Sequence, residues 1–456
     1  MPSQAEAAVL PSMTLATADL SVPSPFSGET SRGAIYLAAR YGLGVIVGVG
    51  NMLVMTWWIG PHAYGFFVTA IGIVAFLATL ARGGIDTYLV RDDGPCARVY
   101  GTAATLILAA SIGLGLAAAA VTPLLSSWYG NREFVSPYLA LLVVIPVSAL
   151  TGVPMAKLER GLEFRRIAGI ELAGQALGLA VAASLAWLRA GVWAPVMGQI
   201  AWQVFTLIAA GICAAVPFRL NFDLQLAKPM LSYGLGLTAS LRAWQLRTLV
   251  NPLIVGRLAG AEGVAYVALA IRIAESLGSL RLAAGRMAIA ALARLQGRRE
   301  EFRQMLERAL YLQVVTLGPL LCMFVLLGPY VVRHIIGARW MPSILIYPFA
   351  AAGVLVNSVY NLQASALFVV GKQWLVMQSY AVHVALLAAT TFVLLPRLGL
   401  IGYGWAELVA CGAYCLIHSG VASTVPISYR KLRLWVAGFV AGLFLVPVGY
   451  SLLRMN

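Results

Sequence analysis

Apolar positions along this chain come in long unbroken runs, and polar positions gather in the short breaks between them. A helix needs ~20 residues to cross ~30 Å of hydrocarbon. Thirteen runs reach that length: 33–59, 64–84, 99–125, 135–155, 167–188, 193–217, 230–256, 262–292, 308–331, 342–369, 373–395, 401–424 and 434–453. The pattern predicts an all-α polytopic membrane protein with twelve to fourteen transmembrane helices. The longest polar connections, 157–166 and 294–308, are too short to hold a folded domain on either side.

Composition narrows the class further. The 456 residues are 61% hydrophobic and 11% charged, with mean hydropathy +0.85. Soluble domains carry roughly 45–50% apolar and ~25% charged residues, so a water-soluble globule is excluded. A net charge of +15 would suggest nucleic acid in a soluble chain. Here the basic residues sit in connections between spans, where they report topology, and no nucleic-acid partner is expected. With the N-terminus placed in the cytoplasm, nineteen Lys and Arg fall on the inside and seven on the outside. That asymmetry predicts a cytoplasmic N-terminus. Of the basic residues 28 are Arg and 4 are Lys. Genomic base composition explains most of that bias, although Arg also offers a planar fork for phosphate. The cysteines Cys96, Cys213, Cys322, Cys411 and Cys415 are scattered and imply neither a zinc site nor a disulfide framework. Residues 1–30 lack the basic and apolar blocks of a signal peptide and read as a disordered cytoplasmic tail.

An internal repeat shows at an offset of 200: Asn51, Leu53, Gly60, Ala70, Ile71 and Ile73 recur as Asn251, Leu253, Gly260, Ala270, Ile271 and Ile273. A second echo links Gly130-Asn131-Arg132 to Gly337-Ala338-Arg339. Six spans separate the copies, so both halves enter the membrane in the same direction. The expected architecture is two parallel six-helix lobes, 31–217 and 230–425, joined by a cytoplasmic linker at 218–229. One extra C-terminal helix, at 432–456, follows. Two such lobes facing one cavity is a transporter plan.

Several segments carry a family resemblance. Trp57-Trp58-Ile59-Gly60-Pro61-His62-Ala63-Tyr64-Gly65-Phe66-Phe67 resembles the junction between the first two helices of Wzx-like polysaccharide flippases. In the family's order follow Gly84-Ile85 through Val90-Arg91, the basic elbow Lys157-Leu158-Glu159-Arg160 through Phe164-Arg165-Arg166, Gly191-Val192-Trp193-Ala194, Ser232-Tyr233-Gly234 and Gly337-Ala338-Arg339-Trp340. The family belongs to the MOP flippase superfamily, with the multidrug (MATE) exporters. The resemblance implies a two-lobed fold and translocation of undecaprenyl-pyrophosphate-linked oligosaccharide across the inner membrane, for surface polysaccharide, exopolysaccharide or O-antigen synthesis. A polysaccharide polymerase or assembly complex would be a partner, and no cofactor is implied. Two departures stand out: Asn251 occupies a position where many relatives carry Asp, and a common Pro is missing around Met287–Ala291.

Ionisable groups inside the spans are the candidate chemistry. Each costs ~2.5–3.5 kcal/mol on insertion scales, so its presence calls for a partner or a wet cavity. The set is Arg40, Arg242, Arg247, Arg272, Arg281 and Arg286 against Glu171, Glu275 and Glu407. A cationic excess suits an anionic cargo. By rise per residue, Arg242 lies about 18 Å into its span, Arg272 about 15 Å and Arg40 about 10 Å. Arg40, Arg242, Arg247 and Arg272, with Glu275, are the candidate pyrophosphate site, through bidentate charge-assisted bonds. Arg281 and Arg286 are close enough to the cytoplasmic face to snorkel. The bland reading of Arg272 is an i,i+3 pair with Glu275.

Glu171 and Glu407 are candidates for ion coupling, or simply hydrogen-bond partners of a neighbouring helix. Tyr360 and Asn361, beside Asn357 and Gln363, make one span polar enough to bind sugar or to tie helices together. Gly174 and Gly178 read as a packing face. P-loop, HExxH and GxSxG signatures are missing, so an enzyme is not expected. The alternatives are a cation-coupled multidrug exporter of the same fold, a membrane polymerase or ligase, and an assembly scaffold. An exporter would favour acids in its cavity, and a polymerase or ligase a sizeable external loop.

Overall fold

The computed structural model describes residues 54–91, 97–216, 220–279, 298–425 and 427–454, with isolated positions at 48, 50, 292 and 295. Side chains at 55, 235–242, 430–431 and 446–454 lie outside that description. A π-helical turn, Met55–Ile59, leads into α1 (Gly60–Arg82), which Gly83 ends in a left-handed conformation, its N–H donating to the Leu80 carbonyl. Then come α2 (Ile85–Arg91), α3 (Ala97–Ala120), α4 (Thr122–Tyr129), α5 (Val135–Leu141), α6 (Val144–Arg160), α7 (Phe164–Trp187) and α8 (Trp193–Ala214). The second half holds α9 (Leu224–Gln245), a 3-10 turn Leu246–Leu249, a π turn Asn251–Val255, α10 (Gly256–Leu277) and α11 (Arg299–Val331). A further π turn, Val332–Gly337, precedes α12 (Pro342–Val369), α13 (Gln373–Leu398), α14 (Leu400–Ala410), α15 (Cys415–Ala422) and α16 (Arg430–Arg454).

Ten helical stretches among the described residues are long and apolar enough to cross a membrane. Most of the first expected run, 33–59, lies outside the described residues, as do positions 280–291 of the eighth. The last expected run lies on α16, Arg430–Arg454, a helix of 25 residues. No strand occurs among the described residues.

Each half of the chain has a main body of core, and a smaller third cluster, with Val255, Val267, Ile346, Leu387 and Tyr403, lies in the second half. Of the main bodies, one gathers Ala70, Leu89, Ile107, Leu141, Ile145 and Val196 from the first half. The other gathers Leu306, Leu321, Trp340, Tyr347, Leu355 and Ile417 from the second. We call these bodies the N-lobe and the C-lobe. The repeat read from sequence is written into their backbones. Gly60 and Gly260 share an unusual conformation (φ 78°, ψ 168° and φ 68°, ψ −173°). Gly130 and Gly337, Leu162 and Gly371, and Gly191 and Gly399 are likewise paired positive-φ positions at corresponding turns. Glycine takes such angles at least steric cost, and it stands at every one of these positions except Leu162.

The α7–α8 hairpin shows how small residues set the packing. A Cβ on Gly178 would lie 2.8 Å from the Gly198 carbonyl oxygen, and one on Gly174 would lie 2.6 Å from Thr206 and 2.8 Å from the Trp202 indole. The Gly174/Gly178 face is thus a helix contact, as its spacing suggested. Across the lobes, α1 lies against α10 so closely that a Cβ on Gly65 would fall 1.8 Å from the Ala261 carbonyl oxygen.

At that end of the molecule each lobe donates hydrogen bonds to the other's backbone. Trp128 Nε1 donates to Leu253 (2.9 Å) and the Tyr129 hydroxyl to Pro252 (3.1 Å). From the C-lobe, Arg339 Nη2 donates to Thr56 (2.8 Å) and Trp57, and Trp340 Nε1 to Thr56 (3.0 Å). Every acceptor in this clasp is a carbonyl of a π-helical turn. At the opposite end, which bears Arg91, Lys157, Arg160 and Lys228 and is called the basic face below, Gly234 of α9 sits against Gly83. There Tyr88 meets Tyr233 edge-on at 5.8 Å.

Candidate functional site

The 3-10 turn between α9 and the Asn251–Val255 π turn swings Arg247 into the C-lobe interior. Its Nη2 donates to Glu407 Oε1 of α14 at 2.7 Å. Its Nη1 lies 3.8 Å from Glu275 Oε1 of α10, and the guanidinium stands 5.4 Å from the Trp244 ring centroid. The pair is nearly enclosed: 17% of the Arg247 side chain and 8% of the Glu407 side chain are exposed. A charge taken into such surroundings needs a partner, and each supplies the other's.

Around this pair the C-lobe is filled by rings. His383 Nδ1 lies 3.0 Å from the Ala410 carbonyl oxygen, and the imidazole is flanked by Trp244 at 5.3 Å and Tyr414 at 5.1 Å. Tyr360 stacks on the other face of the cluster, 5.0 Å from Tyr414, whose hydroxyl accepts from Asn357 Nδ2 at 2.8 Å. Among the described residues, three buried polar atoms of this cluster have no hydrogen-bond partner: Arg247 Nε, Glu407 Oε2 and His383 Nε2. Buried polar atoms are seldom left unpaired, and those that are mark a place where a proton, water or ligand group completes the set.

The other candidates are spread out. Arg40, Arg281 and Arg286 lie outside the described residues, and so does the side chain of Arg242 on α9. Arg272 is exposed on α10. Its i,i+3 pairing with Glu275 does not form, because Glu275 faces Arg247 instead. Asn361 is half-buried on α12, its carbonyl accepting from the Ser365 hydroxyl at 2.9 Å. Thus Arg247, Glu275, Glu407 and Tyr360 belong to one assembly, while Arg272 and Asn361 stand outside it.

Glu171 is in the other lobe, on the wall of a half-open cavity of about 540 Å³ lined by α1, α2, α6, α7 and α8. Sequence reading missed this cavity and missed His383. The available signal was Gln175 and Gln203, two amides inside apolar spans, together with Trp202. No cluster of His, Cys, Asp and Glu able to hold a metal occurs among the described residues.

The sequence profile of the polysaccharide biosynthesis protein family matches residues 54–345. The lipopolysaccharide biosynthesis protein WzxC of Escherichia coli K12 is 23% identical over 327 residues, covering 70% of this chain and 65% of WzxC. The chain therefore spans just under two thirds of that relative's length. A structure of the lipid II flippase MurJ in an inward closed conformation aligns with a TM-score of 0.74 at 12% identity, covering 91% of this chain and 92% of MurJ. An inward-facing MATE multidrug resistance transporter of the MOP superfamily aligns at 0.64 and 17% identity, over 89% and 94% of the two chains. These two likenesses are of fold. The family match spans more than half of the chain, and by it this multi-pass membrane protein belongs to the polysaccharide biosynthesis protein family, with a fold like that of MurJ and the MATE transporter.

Proposed function

We propose that the protein carries undecaprenyl-pyrophosphate-linked oligosaccharide units across the bacterial inner membrane by alternating access of its two lobes, for surface or exopolysaccharide synthesis. The lobes correspond to 31–217 and 230–425, with the linker 218–229 and the helix 432–456, and the N-terminus and basic face are cytoplasmic. The observation that carries this reading is a guanidinium, Arg247, held inside a membrane lobe with one donor unspent. A pyrophosphate is the anion for which such a fork is suited. WzxC is a lipopolysaccharide biosynthesis protein and MurJ a lipid II flippase, which supports a lipid-linked cargo.

In this reading the headgroup enters from the cytoplasmic side while the prenyl tail stays in lipid. Arg247 and Arg272, with Arg40 and Arg242, replace its hydration, and Tyr360 and Asn361 lie within the same lobe. Glu407 is the coupling group: release of its bond to Arg247 frees that guanidinium for phosphate. Glu275, His383, Tyr403 and Tyr414 are the other titratable groups around that guanidinium. An outward anion also gains ~2.3 kcal/mol per charge per 100 mV from a negative interior.

The test is export by a deletion strain carrying the Arg247→Ala or Arg272→Ala protein. Inserted protein with no polysaccharide at the surface is expected; normal export from both refutes the headgroup assignment. The multidrug alternative has one observation in its favour, the carboxylates of the N-lobe cavity. Drug hypersensitivity of the deletion strain with normal polysaccharide would select it.

A further inference from the structure

Corresponding places in the two lobes are filled differently. Tyr414 follows Gly399 by fifteen residues, as Thr206 follows Gly191. Tyr380 follows Gly371 by nine, as Glu171 follows Leu162. In the C-lobe those two tyrosines, with His383, Trp244 and Tyr360, close the interior with stacked rings. In the N-lobe a hydroxyl and a carboxylate stand there instead, and a cavity of about 540 Å³ remains. Small-molecule sites are typically ~300–1,000 Å³.

The walls of this cavity are chemically mixed. The lining holds one guanidinium, Arg82, beside Asp86, Glu159 and Glu171, so it lacks the cationic cluster that grips a phosphate. Arg82, Gln175 and Gln203 make no side-chain hydrogen bond among the described residues. These amide and guanidinium donors are half-buried and open to bond an occupant of the cavity. The indole of Trp202 lies at the same wall, in room that Gly174 leaves by having no Cβ. Donors, acceptors and an aromatic ring around one space suit a neutral polyol: each sugar hydroxyl both donates and accepts, and its C–H face packs on indole.

Resting on the transport reading above, we propose that the N-lobe cavity is a sugar-binding site, which reads the glycan while the C-lobe holds the pyrophosphate. Its position links occupancy to movement. Arg82 and Asp86 flank the α1–α2 turn, whose Gly83 backbone meets Gly234 of the C-lobe. A glycan bonded to Arg82 and Asp86 therefore bears on the contact between the lobes at the basic face.

The test uses full-length protein in nanodiscs and saturation-transfer NMR with neutral disaccharides: maltose, lactose, cellobiose and N,N′-diacetylchitobiose. At least one should bind at millimolar concentration. Trp202→Leu and Gln203→Leu should each weaken it ten-fold or more, Ser184→Ala on α7 should not, and inorganic pyrophosphate should not compete. Gel filtration checks each fold. Should Trp202→Leu fail that check, Gln175→Leu on the same wall takes its place. No binding by any disaccharide, or binding untouched by both wall substitutions, overturns the proposal. So does ethidium binding lost in Asp86→Asn without any sugar signal, since that would make the cavity a cation site. Transport is not needed for this readout. Failed export with intact sugar binding strikes the transport reading, and intact export without sugar binding strikes this one.

Discussion

The N-lobe and C-lobe share turns, helix order and glycine positions, yet their interiors follow opposite rules. The C-lobe sets its buried charges against each other, Arg247 on Glu407, packs rings around them and leaves only single atoms of each unpaired among the described residues. The N-lobe leaves polar side chains around an open space. One frame thus yields a stiff, charged strut and a hollow receptacle, and the difference lies in a few side chains, Tyr414 against Thr206 and Tyr380 against Glu171.

The largest effect should come from breaking the C-lobe's charge pair. Arg247→Leu strands Glu407 in a dry interior, which costs about 3–5 kcal/mol when one member of a buried pair is removed. The paired change Arg247→Leu with Glu407→Leu should recover most of the lost melting temperature without restoring export. Recovery of both would reduce the pair to a structural role.

Next in size is Gly65→Val at the lobe contact. Its side chain meets the Ala261 backbone, so the lobes cannot close, and export should fall at least ten-fold. Labelling of a cysteine introduced at Ala259 should rise in parallel, and unchanged labelling would show that α1 and α10 need not touch.

A smaller change is expected from Arg339→Gln, which removes charge-assisted bonds to Thr56 and Trp57. At about 1.5–3 kcal/mol for such a bond, the effect on melting should be readable, and absence of any shift would mean that water replaces the arginine without loss. The smallest stability effect belongs to Ser148→Leu, which fills part of the N-lobe cavity. Melting should move by less than about 1 kcal/mol equivalent while export drops; an equal effect on both would mean that the space is not used.

The spans and the repeat were legible because both are local. Long apolar runs need no partner to be recognised, and Gly60 and Gly260 are held by their own backbone angles. The charged site was only half legible. Arg247 and Glu407 were both visible as misplaced charges, but 160 residues separate them and nothing in the sequence joins them. The local rule pointed instead to Arg272 and Glu275, three residues apart, and there the fold chose Arg247 as partner for the acid. The cavity was illegible because it consists of missing volume, supplied jointly by α1, α2, α6, α7 and α8.

The clasp between the lobes is aimed at main-chain oxygens that widened turns turn outward. Such acceptors exist whatever residue occupies the turn, so Trp128, Tyr129, Arg339 and Trp340 would find them in a related protein as readily as here. Half-molecules exchanged between relatives should consequently still latch. When the latch releases, solvent molecules can bond the same oxygens one for one, so the doorway parts without leaving a naked peptide behind.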